Sequence, residues 1–179
     1  MKTIWSAFSI GIILILLGCH PTPAPNATAQ PAKAAPAAAG GQNAVEEQGK
    51  YVNSASARLV KLINLGNEAG FKLPHHSFSG GGGWLSSGED KWVSLYTVRL
   101  ESTKDYRFLA AGDMDAKVLN LQVCNVDGKV LANDTDNDSQ AVLNFTPKQT
   151  DRYTIKIRLR SSKGGEQAFC FAMMMERKR

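Results

Sequence analysis

Tyr153-Thr154-Ile155-Lys156-Ile157-Arg158-Leu159-Arg160 alternates apolar and polar side chains with a period of two. A strand sends successive side chains to opposite faces. This stretch therefore buries Tyr153, Ile155, Ile157 and Leu159 while Lys156, Arg158 and Arg160 face water. Working outward, similar runs occupy Trp92 to Leu100, Tyr106 to Ala110, Val118 to Val126, Lys129 to Ala132, Ala141 to Phe145 and Ala168 to Met174. Turn residues separate them, and Asp127-Gly128 has the composition of a tight hairpin turn. Short strands at this spacing predict an all-β, antiparallel sandwich over residues 84–176, followed by a basic tail at 177–179.

Upstream of Trp84 the period changes. Asn43 and Glu46 have the spacing of a helix capping box, and Val45, Val52, Ser56, Leu59, Val60, Leu62 and Ile63 recur at helical intervals. An amphipathic helix is predicted from about Ala44 to Leu65 within segment 43–70, with Gly66 and Gly70 as stop signals. Its narrow apolar stripe suits packing on the sandwich, or else on a partner. Pro74, His75, His76 and the glycines at 80–83 make 71–83 a loop by composition.

The N-terminal segment is an address rather than part of a fold. Lys2 precedes an apolar run, Ile4 to Leu17, shorter than the ~18–20 residues a membrane-crossing helix needs. Residues 1–18 thus read as a signal peptide. The run ends in Leu16-Leu17-Gly18-Cys19, which resembles the lipobox of bacterial lipoproteins. The resemblance implies cleavage after Gly18 and acylation of Cys19. His20, where an aspartate would retain the protein in the inner membrane, points to the outer membrane, facing either the periplasm or the cell surface. Residues 19–42, rich in Pro and Ala, read as a disordered tether.

Lys2 is the only charge in the leader, and the whole chain carries +5. No dense basic stripe of the nucleic-acid-binding kind is present, and export argues against that partner. Two cysteines remain beyond Cys19. An oxidising compartment permits a Cys124–Cys170 disulfide, the other reading being two separate thiols. Alternation opposite to Val123 and Phe169 predicts that both point away from the core.

A family resemblance rests on several pieces in order. They are Tyr106-Arg-Phe-Leu-Ala-Ala-Gly-Asp113, Leu119-Asn-Leu-Gln-Val123, Asp127-Gly128-Lys-Val-Leu-Ala-Asn-Asp134, Asp138, Phe145-Thr-Pro147 and Thr150-Asp-Arg-Tyr-Thr-Ile155. As a set these resemble the pre-peptidase C-terminal (PPC) domains of secreted bacterial proteins, over about Gly83 to Met174. Arg152 stands where that family often has glycine, and Asn120 where it often has aspartate. The resemblance implies a jelly-roll-like sandwich acting as an accessory to a secreted enzyme. Some members of the family bind calcium, and some bind collagen or other polymers.

Two surfaces carry candidate chemistry. Asp134, Asp136 and Asp138 alternate, as oxygen ligands for calcium do, with Asp113 and Asp115 as contributors from another loop. An EF-hand is excluded, because Ser139 and Phe145 stand where glycine and glutamate are required. The competing reading is a solvated turn whose aspartates cap backbone amides. Lys156, Arg158 and Arg160, continued by Lys163 and 177–179, form a basic row for an anionic envelope polymer or headgroup, or simply a solvated face. Trp84 and Trp92 could build a glycan platform or fill the core, and Met173, Met174 and Met175 read as packing. Adjacent His75 and His76 lack further spaced metal ligands.

No Gly-x-Ser-x-Gly elbow, His-Glu-x-x-His, Cys-x-x-Cys or phosphate loop occurs. The expected function is therefore that of a non-enzymatic cell-envelope lipoprotein, a binding or interaction module for protein or anionic polymer. The alternative is an assembly or accessory lipoprotein that docks an envelope or secreted enzyme through its N-terminal helix.

Overall fold

A computed structural model describes residues 41–75 and 80–179, with side chains from residue 45 onward. The leader, Cys19, the tether as far as residue 40, and His76 lie outside the described residues.

Helix α1, Gly41–Glu68, is longer than its stripe predicted at both ends. Gly41 and Gln42 belong to it rather than to the tether, and Asn43 sits inside it rather than at its cap. Gly66 does not stop the helix. A Cβ there would lie 2.4 Å from Met175 Sδ, so this glycine permits close packing of α1 on the strand beneath. The true terminator is Gly70, whose φ of 81° is the left-handed conformation that glycine adopts freely. Gly70 N–H donates to Asn67 O and Phe71 N–H to Gly66 O, each at 3.0 Å, which completes a Schellman cap. Buried Phe71 then lies between the guanidinium groups of Arg107 and Arg177, each 4.5 Å from its ring centroid.

Eight strands follow: β1 Gly80–Ser86, β2 Val93–Leu100, β3 Lys104–Gly112, β4 Ala116–Cys124, β5 Val130–Asn133, β6 Gln140–Phe145, β7 Asp151–Ser162 and β8 Gln167–Lys178. They form two antiparallel four-stranded sheets, ordered β1-β8-β3-β6 and β2-β7-β4-β5. Apart from the β4–β5 hairpin, each strand crosses to the other sheet, which gives the jelly-roll order. The fold is the expected all-β sandwich.

The two sheets differ in what covers them. Between them lies the main core, including Leu100, Tyr106, Phe108, Leu119, Leu121, Ile155, Ile157 and Leu159. The β2-β7-β4-β5 sheet turns its other face to solvent, which is why β7 alternates so cleanly. The β1-β8-β3-β6 sheet carries α1 on its outer face. Leu59 and Leu62 of the helix pack there on Phe71, Leu109, Ala111 and Met175.

The glycine run corrects the loop assigned to 71–83. Gly80–Gly83 form the first half of edge strand β1, paired with β8 in the register Gly80↔Met173 to Gly83↔Cys170. At Gly82 a Cβ would stand 2.3 Å from Phe171 Cδ1 and 2.9 Å from Cys170 O. This glycine therefore belongs to a strand crowded by its neighbour. Gly81 and Gly83 have nothing within 4 Å of that position.

Candidate functional site

The aspartates of 134–138 do not converge. Asp134 is buried, and its carboxylate is occupied by backbone amides: Oδ1 accepts from Asp136 N at 2.9 Å and Oδ2 from Val142 N at 3.0 Å. Burial pushes its pKa above the ordinary aspartate value, against those two hydrogen bonds and with the help of Asp136 and Asp138. Asp138 caps Ser139 N at 2.6 Å, and its carbonyl accepts from Leu119 N at 2.7 Å. Asn120 Nδ2 donates to Asp136 O at 3.0 Å. These bonds tie the β5–β6 crossover to β4. Among the described residues no group of three His, Cys, Asp or Glu side chains could hold a metal ion. The carboxylates of Asp134 and Asp138 thus cap backbone amides, while Asp136 takes part through its own amide and carbonyl.

Asp113, the end of the Gly-Asp motif, is likewise structural. Fully buried, it accepts from Asp115 N at 2.8 Å and Ala116 N at 3.2 Å through Oδ1, and from Phe169 N at 2.7 Å through Oδ2. It pins the β3–β4 turn to β8. Asp115 turns elsewhere.

The basic row is largely neutralised within the fold. Arg160 Nε meets Glu89 Oε1 at 2.6 Å, and its Nη1 donates to Asn137 Oδ1 at 3.0 Å. Arg158 donates to the Glu89 carbonyl and to Asn120 Oδ1, and its guanidinium lies 4.6 Å from the Trp92 ring centroid. Trp92 thus caps an arginine instead of filling the core. Lys156 alone of the three has no ion-pair partner among the described residues. The tail is engaged too, since Arg177 and Arg179 both pair with Asp105, at 3.0 and 3.2 Å. Of the predicted row Lys156, Arg158 and Arg160, the two arginines therefore face Glu89 and only Lys156 is without an acidic partner among the described residues.

Cys124 and Cys170 are free and buried, in strands of different sheets. Neither points to solvent, contrary to the alternation. Cys170 belongs to the main core, and burial, with Asp113 nearby, pushes its thiol up to about 12. The disulfide is not formed.

A site that sequence reasoning missed lies where α1, β1 and two turns meet. Glu47, Gln48 and Tyr51 from α1, Trp84 from β1, Asp115 from the β3–β4 turn, and Glu166 and Gln167 from the approach to β8 line an open cleft of about 750 Å³. The β1–β8 register sets Trp84 opposite Phe169. Their rings meet edge to face at 5.6 Å, and Trp84 meets Tyr51 in the same manner at 5.3 Å. Trp84 stays 42% exposed in this ladder. Backbone bonds fix the turns, with Lys163 N donating to Asp115 O at 2.7 Å and Ser87 N to Glu166 O at 3.1 Å. The Glu47, Asp115 and Glu166 carboxylates have no ion-pair or hydrogen-bond partner among the described residues. The Tyr51 hydroxyl is shifted above its ordinary value, first by Asp115, then by desolvation, Glu47 and Asp113. Trp84 and Asp115 were singled out in the sequence separately, for a glycan platform and a calcium loop, and nothing there joined them.

Beside it runs an apolar groove of about 430 Å³, walled by Leu59, Val60, Ile63, Phe171 and Met173 and floored by Gly81 and Gly82. No described helix is long and apolar enough to cross a membrane. Compared with protein-family models and with curated proteins, the chain finds no match.

Proposed function

We propose that this chain is a non-enzymatic binding module of the bacterial cell envelope, held at a membrane, the outer one by the residue at 20, through lipid on Cys19. Three features support the reading: the lipobox-like Leu16–Cys19, the PPC-like order of motifs, and a jelly-roll sandwich of the kind that resemblance implies. The observation that carries it is the cleft. Side chains from four separate elements converge there on a solvent-open space of about 750 Å³, within the range of ligand sites. We place the interaction surface on the α1/β1 side, because Arg158 and Arg160 of the basic row are engaged by Glu89.

The alternative, an accessory lipoprotein docking an enzyme through α1, is favoured by the groove beside Val60 and Ile63. A photo-crosslinking amino acid placed in cells at Gln48, Val60 or Thr97 tests both readings. Adducts at Gln48 support the binding module, whereas adducts at Val60 alone support docking through the helix. Adducts confined to Thr97, on the opposite sheet, would overturn both. Changing Cys19 to Ala should move the protein from the membrane to the soluble fraction. Retention at the membrane refutes the anchor.

A further inference from the structure

Resting on the binding-module reading, we infer that the cleft between Tyr51 and Trp84 binds an organic cation, an alkylammonium or guanidinium group. Three features of the site converge on that chemistry.

The first is charge. Glu47, Asp115 and Glu166 face one open space, and none spends its carboxylate on an ion pair or hydrogen bond among the described residues. Arg58, two turns along the same face of α1, does not neutralise them. Its Nη1 is directed to Gly112 O at 3.1 Å, Asp113 O at 2.8 Å and Ser139 Oγ at 3.1 Å. The second is geometry. The three carboxylates do not close up into a group that could hold a metal ion. A diffuse charge on a larger body matches their spread, and a bare divalent ion does not. The third is the wall. Tyr51 and Trp84 stand edge to face at 5.3 Å, and Trp84 keeps 42% of its surface open. Aromatic faces attract cations through the ring quadrupole, tryptophan most strongly. Apolar rings also shed water against the methyl or methylene groups of an organic cation, which a hydrated metal ion does not offer. Gln48 and Gln167 supply amide groups for an N–H donor.

The same chemistry is presented by a free small amine and by a lysine or arginine side chain on a polypeptide. The test therefore titrates the purified full-length chain in detergent with tetramethylammonium, with argininamide and with an oligolysine peptide, following the heat of binding by calorimetry at constant ionic strength. Sodium chloride and a neutral sugar serve as controls. The expected result is saturable binding of the organic cations and none of the controls. W84L, or D115N combined with E166Q, should weaken binding about tenfold or more, while Y51F, which keeps its ring, should weaken it far less. All these positions are at the surface, and unchanged thermal unfolding of each variant establishes that it is folded. Tighter binding of oligolysine than of the two small cations assigns the site to a polypeptide, and the reverse order assigns it to a free amine. Equal response to sodium chloride, preference for the sugar, or full binding by the D115N/E166Q variant would overturn the inference. Crosslinks at Gln48 without cation binding would refute this inference and leave the binding-module reading standing. Cation binding without any crosslink would sustain both readings, with a free amine as the ligand.

Discussion

Changing Asp113 to Ala should unfold this protein more readily than any other single aspartate substitution in its turns. The carboxylate is fully buried and receives three backbone N–H groups, at 2.8, 3.2 and 2.7 Å. Ala116 N retains a second acceptor, Asp113 O at 3.3 Å. Phe169 turns both its N–H and its carbonyl toward Asp113, so its amide has no alternative acceptor, and neither has Asp115 N. Two part-buried donors left unpaired, at about 1–3 kcal/mol each, give a loss of roughly 3 kcal/mol once local relaxation is allowed for. For a domain of this size that is about 10 °C in Tm. Urea unfolding followed by circular dichroism measures it directly, as a lower midpoint at unchanged slope. Asp115→Ala is the internal control, because the Asp115 side chain makes no bond among the described residues and should change stability by less than about 0.5 kcal/mol. If Asp113→Ala also fell within that range, the reading of Asp113 as a staple between the β3–β4 turn and β8 would be wrong.

Other consequences can be checked in the same way. Gly82→Val should cost about 1–3 kcal/mol, because its Cβ would collide with Phe171 and the Cys170 carbonyl, whereas Gly83→Val, with open space around it, should be near neutral; comparable losses would refute β1 as placed. Cys124 and Cys170 should resist a thiol reagent in the native protein and react once it is unfolded, and a peptide map showing them joined would contradict two free thiols. Alkaline stability should fall from about pH 9 upward. The unfolded Cys170 thiol ionises near 9.0, whereas the folded one holds its proton up to about 12. Through that window the unfolded chain binds fewer protons, which favours unfolding by as much as ~1.4 kcal/mol per pH unit. Cys170→Ala should flatten the slope between pH 9 and 10, leaving the later decline that burial of Tyr96 adds.

How much could be read from residues alone depended on solvent. The β2-β7-β4-β5 sheet is wet on one side, so β7 alternates and both its strand character and its inward face were legible from Tyr153 to Arg160. Strand β8 has no wet face over most of its length. Ala168, Cys170, Ala172 and Met174 face the core, while Phe169, Phe171, Met173 and Met175 lie under or beside α1. Both faces being apolar, the period carried no direction, and Cys170 was placed outward when it points in. The glycines of β1 were misread for a different reason. Glycine is depleted in strands because it packs nothing, yet at Gly82 it is the absence of a side chain that lets Phe171 fit. The cleft was illegible for a third reason. Glu47, Trp84, Asp115 and Glu166 are scattered along the chain and share no local pattern. Only the seating of α1 on β3 and β8, with β1 paired beside β8, gathers them.

Strand β8 also decides when the molecule can become itself. It lies between β1 and β3 in its sheet, so β1 has no neighbour in that sheet until β8 arrives, after every other strand has been made. The helix waits as well, since Phe171, Met173 and Met175 form much of its seat. A fold closed by its final strand, through contacts so distant along the chain, forms slowly. Until then β1 has no strand to pair with and α1 lacks much of the surface it packs on.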